Sequence, residues 1–98
     1  MPPEMNKTAT VQLELFQNPG CPACKALNLM LDELLPAYGD SFTLKRTQAS
    51  GPLGYVRTLR LGIHAVPALL INGKVEFRSL PARQELIDRL NSYKPVNQ

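Results

Sequence analysis

The 98-residue chain has little of what marks several large functional classes. It carries only two cysteines, Cys21 and Cys24. A secreted domain held together by disulfides carries more, spread over longer loops, so a stapled scaffold is not the organising device. No apolar run approaches the ~20 residues that cross a bilayer. Met1–Thr10 has no apolar stretch behind a basic patch, so the expectation is a protein with no secretory signal, no membrane attachment and a cytoplasmic location. Repeats and low-complexity stretches are absent. Charge is sparse and scattered, with eleven Lys and Arg against eight Asp and Glu for a net +3. Only Lys45-Arg46 and the Arg57/Arg60 pair cluster at all. Without an aromatic-basic stripe these cations read as a solvated surface, not a nucleic-acid interface.

Apolar residues make up 44% of the chain, enough for a core, and the length suits one domain. Pro2, Pro3 and the polar residues after them read as a flexible lead-in over 1–10. A folded domain is expected over 11–93, with a short tail over 94–98.

Val11-Gln12-Leu13-Glu14-Leu15-Phe16 alternates apolar and polar residues and predicts a strand. Asn18-Pro19-Gly20 breaks it. A helix follows from Pro22, whose missing N–H costs nothing in a first turn. Ala23, Leu27, Met30, Leu31 and Leu34 fall on one of its faces, and Pro36 and Gly39 end it. Ser41–Thr47 reads as a second strand, with Phe42 and Leu44 inward. Ser50-Gly51-Pro52 opens a shorter helix to about Leu61 that carries Leu53, Val56 and Leu59, and Gly62 closes it as a left-handed cap. The apolar run Ala68–Ile71 and the return strand Lys74–Arg78, with Val75 and Phe77 inward, flank the hairpin signal Asn72-Gly73. A last helix is expected over Pro81–Leu90, buried through Leu86, Ile87 and Leu90.

The order is β-α-β-α-β-β-α. Two strands each followed by a helix imply parallel pairing through right-handed crossovers, and the closing hairpin adds antiparallel strands. The fold class is α/β: one mixed four-stranded sheet with helices on both faces.

Cys21-Pro22-Ala23-Cys24 lies where the first strand gives way to the first helix. The first N–H groups of a helix lack intrahelical partners and form the positive end of its dipole. A thiolate at Cys21 is stabilised there, and the thiolate is the form that attacks disulfides. Cys24, one turn on, is expected to be shielded and to resolve a mixed disulfide. A purely structural bridge would close a tiny loop and restrict little entropy in the unfolded chain. Metal carriage or sensing is a rival reading: two soft thiolates suit Cu(I), whereas zinc needs two more ligands. A redox-responsive adaptor without catalysis is another. His64, the only histidine, reads as a loop residue unless it tunes the dithiol or adds a third metal ligand. Lys25 reads as a solvated helix lysine that also stands near enough in sequence to favour the thiolate. Val66-Pro67 heads an apolar strand; about one X–Pro bond in twenty is cis.

Pro19-Gly20-Cys21-Pro22-Ala23-Cys24 after a strand, together with Leu61–Val75 around Val66-Pro67, resembles the thioredoxin superfamily, in particular its small thioredoxin-like and glutaredoxin-like redox-active disulfide proteins. The resemblance covers roughly residues 11 to 91. It implies a thioredoxin-like fold and a thiol–disulfide oxidoreductase that needs no cofactor beyond the Cys21–Cys24 disulfide and holds no metal. It implies a cis peptide at Pro67 facing the dithiol, where Pro67 keeps the sulfurs open to substrate and blocks metal capture. Val66 is then the backbone that receives an extended target segment, as an added strand would. Protein disulfides are the implied substrates, a reductase or a low-molecular-weight thiol the implied electron donor, and a monomer the implied state. Leu15 stands where thioredoxins carry a buried acid. Glu14 beside it is turned by strand alternation to the opposite face, away from Cys24.

Overall fold

The computed structural model describes residues 10–93. The expected lead-in, apart from Thr10, and the tail over 94–98 lie outside the described residues. Four strands, β1 (Val11–Gln17), β2 (Phe42–Gln48), β3 (Ala68–Ile71) and β4 (Lys74–Phe77), combine with three helices, α1 (Pro22–Leu34), α2 (Pro52–Leu61) and α3 (Arg83–Tyr93). A 3₁₀ turn, Leu35–Tyr38, carries the chain out of α1 at Pro36. None of these helices is long and apolar enough to cross a membrane.

The sheet has the order β2-β1-β3-β4. β1 pairs with β2 in parallel, as a strand–helix–strand unit requires. The second crossover departs from the expected parallel pairing, because β3 runs antiparallel to β1. The loop after α2 returns the chain to the end of the sheet where β1 finishes, so β3 starts there, with Ala68 opposite Phe16. That reversal sets Val66-Pro67 beside the end of β1, from which the cysteine loop departs.

Alternation along β1 divides the interior into two layers. Leu13 and Leu15 face α1 and α3 and pack with Leu27, Leu31, Leu69, Ile71, Leu86 and Leu90. Phe16, on the other face, packs with Ala49, Ile63, Ala68 and Leu70 under α2. Helices therefore cover both faces of a mixed sheet.

Two further departures concern which side chains face inward. Leu53, Val56 and Leu59 of α2 point outward; Leu53 is 80% and Leu59 63% exposed. The buried residues of α2 are Gly54 and Thr58. A Cβ at Gly54 would stand 2.1 Å from the Gln48 carbonyl oxygen, so glycine lets α2 lie directly on the end of β2. On β4, one extra residue, Glu76, is accommodated between the Leu70–Val75 and Leu69–Phe77 pairs. The bulge sends Val75 to the α2 layer and Phe77 to the α1/α3 layer, although their spacing in a regular strand would put both on one face.

The turn and cap signals act locally. Asn72 and Gly73 both have positive φ, 50° and 83°, as a tight hairpin turn needs. Gly62 caps α2 with φ 71°. α3 begins at Arg83, not Pro81; Glu85 reaches back to accept the Ala82 N–H at 2.9 Å, which marks the start of the helix.

Candidate functional site

Asn18-Pro19-Gly20 ends β1, with Gly20 at φ 74°, and delivers Cys21 to the N-cap of α1. Cys21 has extended backbone (φ −106°, ψ 106°), and its Sγ accepts the Cys24 N–H at 3.1 Å. The sulfur thus occupies the place where a Ser or Asp oxygen ordinarily caps a helix. Pro22 takes the first helical position, and the Lys25 N–H donates to the Cys21 carbonyl at 3.1 Å. Cys21 and Cys24 are joined as a disulfide with their Cα atoms 5.2 Å apart. Their burial is unequal: Cys21 is partly open, whereas Cys24 is 2% exposed.

The other expected residues are placed as follows. Ala23 is half-buried and Pro22 and Lys25 are exposed. The Val66–Pro67 peptide is cis. Pro67 is buried and Val66 half-buried, at the dithiol end of the sheet. His64 is exposed on the loop before them. Among the described residues, no group of three or more His, Cys, Asp or Glu is gathered as a metal site.

Glu14 lies on the α2 face of the sheet, as alternation requires. Arg57 of α2 grips its carboxylate with two donors, one at 2.8 Å, and the Thr47 hydroxyl donates as well. Burial alone would raise the Glu14 pKa, but the bonds from Arg57 and Thr47, with the charges of Arg57 and Lys45, outweigh it and hold the carboxyl below the usual range. Arg57 also stacks over the Phe16 ring, 5.1 Å from its centroid. Glu14 therefore fastens α2 to the sheet and is committed there.

Sequence reasoning missed a polar tie beside the cysteines. Asn28, four residues after Cys24 and so above it on α1, donates to the Cys24 carbonyl at 3.1 Å and to the Gln17 side chain. Its oxygen accepts from Arg46 of β2, which also pairs with Asp32 at 3.1 Å. In the cysteine loop, the Asn18 side chain accepts the Ser50 N–H at 2.9 Å. The i, i+4 spacing of Cys24 and Asn28 was the available signal; the strand partners were not visible locally. Beside this tie lies an open depression of about 580 Å³ whose lining includes Cys21 and Cys24.

A second missed cluster lies away from the dithiol. Glu76, placed by the β4 bulge, has a side chain only 6% exposed and receives Arg89 and the Tyr93 hydroxyl, with Lys74 at 3.9 Å. The Tyr93 hydrogen bond lowers the Glu76 pKa, burial opposes it, and Arg89 and Lys74 add to the lowering. The same bond raises the Tyr93 pKa.

Similarity to known proteins agrees with this geometry. The thioredoxin domain family model matches residues 10–91. A probable thioredoxin of Methanothermobacter thermautotrophicus is 32% identical over 81 residues, covering 83% of this chain and 93% of the relative. A thioredoxin of Methanocaldococcus jannaschii is 31% identical over 81 residues, covering 82% and 92%. A mutant thioredoxin from Halobacterium salinarum NRC-1 superposes with a TM-score of 0.71 at 18% identity, over 97% of this chain and 84% of that one; it bears on the fold alone. With a dithiol pair set at a helix start on this scaffold, the chain belongs to the thioredoxin domain family and is a thiol–disulfide oxidoreductase.

Proposed function

We propose that the chain exchanges disulfides with protein targets through its Cys-Pro-Ala-Cys centre, with Cys21 as the attacking thiol and Cys24 as the resolving thiol. The observation that carries this reading is the asymmetry of the pair: Cys21 is partly open and receives an N–H at the start of α1, while Cys24 is buried one turn on. When the disulfide is reduced, the helix terminus favours the Cys21 thiolate. That thiolate attacks one sulfur of the target disulfide, and the other target sulfur leaves with the bonding pair. Cys24, having given up its proton to solvent, then attacks Cys21 Sγ; the mixed disulfide breaks and the target thiolate departs.

Val66 and Pro67 support an extended target segment at the same end of the sheet, with the Val66 backbone as the pairing edge. Lys25, four residues after Cys21, and His64, three residues before Pro67, are the candidates for tuning Cys21. The fold needs no resident cofactor for this exchange, which is internal to the two sulfurs. Electrons come from a reductase or a low-molecular-weight thiol.

The test is reduction of a protein disulfide such as that of insulin, driven by NADPH and a candidate thioredoxin reductase. Cys21→Ser is expected to be inactive, and Cys24→Ser to accumulate mixed disulfides. Equal residual turnover in the two variants would overturn the assignment of roles. Tight monomeric binding of Cu(I) or Zn(II) by the reduced protein, without turnover, would replace it with metal carriage.

A further inference from the structure

The depression beside the dithiol lies on the side of β2 and Gln48, and neither Val66 nor Pro67 lines it. The disulfide therefore has two approaches: the Pro67 edge and this hollow. Four carboxamides line the hollow (Gln17, Asn18, Asn28 and Gln48), with Lys25 and no carboxylate. Its volume of about 580 Å³ falls within the range of small-ligand sites.

The hydrogen-bond balance of these side chains is one-sided. Asn28 is fully engaged by Gln17, the Cys24 carbonyl and Arg46. Asn18 uses its oxygen on the Ser50 N–H, and Gln17 uses its oxygen on Asn28. Gln48 spends its amino group on Ser50. Among the described residues, the side-chain amino groups of Gln17 and Asn18 have no partner, and Lys25 forms no ion pair. Against these donors stands one free acceptor, the Gln48 oxygen. A donor-rich, singly cationic hollow fits a ligand rich in acceptors and negatively charged.

We propose that this hollow is a binding site for a low-molecular-weight thiol bearing a carboxylate, which reduces the Cys21–Cys24 disulfide from the side opposite the protein substrate. The carboxylate meets Lys25 and the amino groups of Gln17 and Asn18, and the thiolate faces Cys21. The proposal rests on the redox reading of the dithiol given above. In the first step the ligand thiolate attacks Cys21 Sγ, the Cys21–Cys24 bond breaks, and its electron pair goes to Cys24 Sγ, which takes a proton from water. A second ligand thiolate attacks the ligand sulfur of the mixed disulfide and expels the Cys21 thiolate. Two ligand thiols are oxidised to one ligand disulfide, and the protein disulfide is reduced to the dithiol.

The experiment is anaerobic reduction of the oxidised full chain by mercaptopropionate, mercaptoethanol and cysteamine. These probes are anionic, neutral and cationic, and their rates are corrected for thiolate fraction and intrinsic reactivity. Mercaptopropionate is expected to saturate and to exceed mercaptoethanol about fivefold at low concentration, the scale of one exposed ion pair, with cysteamine slowest. Lys25→Gln brings the anionic-to-neutral ratio near one, and Lys25→Glu inverts it. Taking the ratio within each variant cancels any effect of Lys25 on Cys21 itself. Rates that follow thiolate reactivity without saturation, or a ratio unchanged in Lys25→Gln, would overturn the site. A ratio near one in the wild type, with insulin turnover intact, removes this site alone. Absence of insulin turnover with the ratio intact removes the protein-substrate reading alone.

Discussion

At the scale of single residues, the chain treats similar side chains very differently. Cys21 and Cys24 differ by one helical turn, yet one sulfur is reachable and the other is enclosed. Glu14 and Glu76 are both drawn inward, and each is met by an arginine and a hydroxyl donor. Both carboxyls have folded pKa values below the ordinary value of 4.5. A lowered carboxylate pKa contributes stability that is fully present above the unfolded value and is lost as pH falls through the folded one. Stability of the wild type is therefore expected to decline as pH drops below about 4.5, and Glu76→Gln to flatten that decline, as read from urea midpoints across pH. At neutral pH, Glu76→Gln should cost about 1–3 kcal/mol, because charged-group hydrogen bonds in a sheltered site are weakened. Glu14→Gln should cost less, since the Glu14 side chain is 14% exposed against 6% for Glu76 and water screens its pair more.

At the scale of elements, α2 shows how packing overrides pattern. Its leucines and valine look like a buried stripe, but the contact with the sheet is made by Gly54 and Thr58. Close approach of the two backbones needs the missing Cβ at Gly54, which is why the larger apolar residues sit on the outer side. Gly54→Ala should lower stability by about 1–3 kcal/mol, the scale of overpacking in a tight contact, measured by urea unfolding. The substitution leaves the start of α1, which holds Cys21 and Cys24, untouched, so the folded fraction should keep the dithiol's reactivity. The hairpin is the opposite case, in which two residues of turn chemistry decide the outcome. Gly73 sits at φ 83°, and Gly73→Ala should cost about 1–2 kcal/mol by forcing a Cβ into left-handed backbone.

At the scale of the whole molecule, two apolar layers share one sheet, and they are unequal. The α1/α3 layer contains the fully buried Leu27, Leu31, Leu86 and Leu90, and it holds the helix that carries both cysteines. Leu31→Ala should cost about 2–5 kcal/mol and lower the urea midpoint sharply. Leu53→Ser on the outer side of α2 should change stability by no more than about 0.5 kcal/mol. A thermal-shift comparison of these two variants checks that the buried layer, and not the outer side of α2, carries the stability.

The element order, the hairpin, the cap at Gly62 and the place of the dithiol at the start of α1 were legible in the sequence. Each depends on a few adjacent residues: alternation in Val11–Phe16, proline at a first turn, Asn72-Gly73 at a reversal. The resemblance around Cys21-Cys24 and Val66-Pro67 also brought the cis peptide within reach, although position alone did not. Tertiary structure decided what depends on distant segments meeting. It set the direction of β3, the inner side of α2, the bulge at Glu76 and the link from Asn28 through Gln17 and Arg46. Those features follow from how closely two backbones approach and from which polar groups are left to satisfy there, and neither is written in the periodicity of either segment alone.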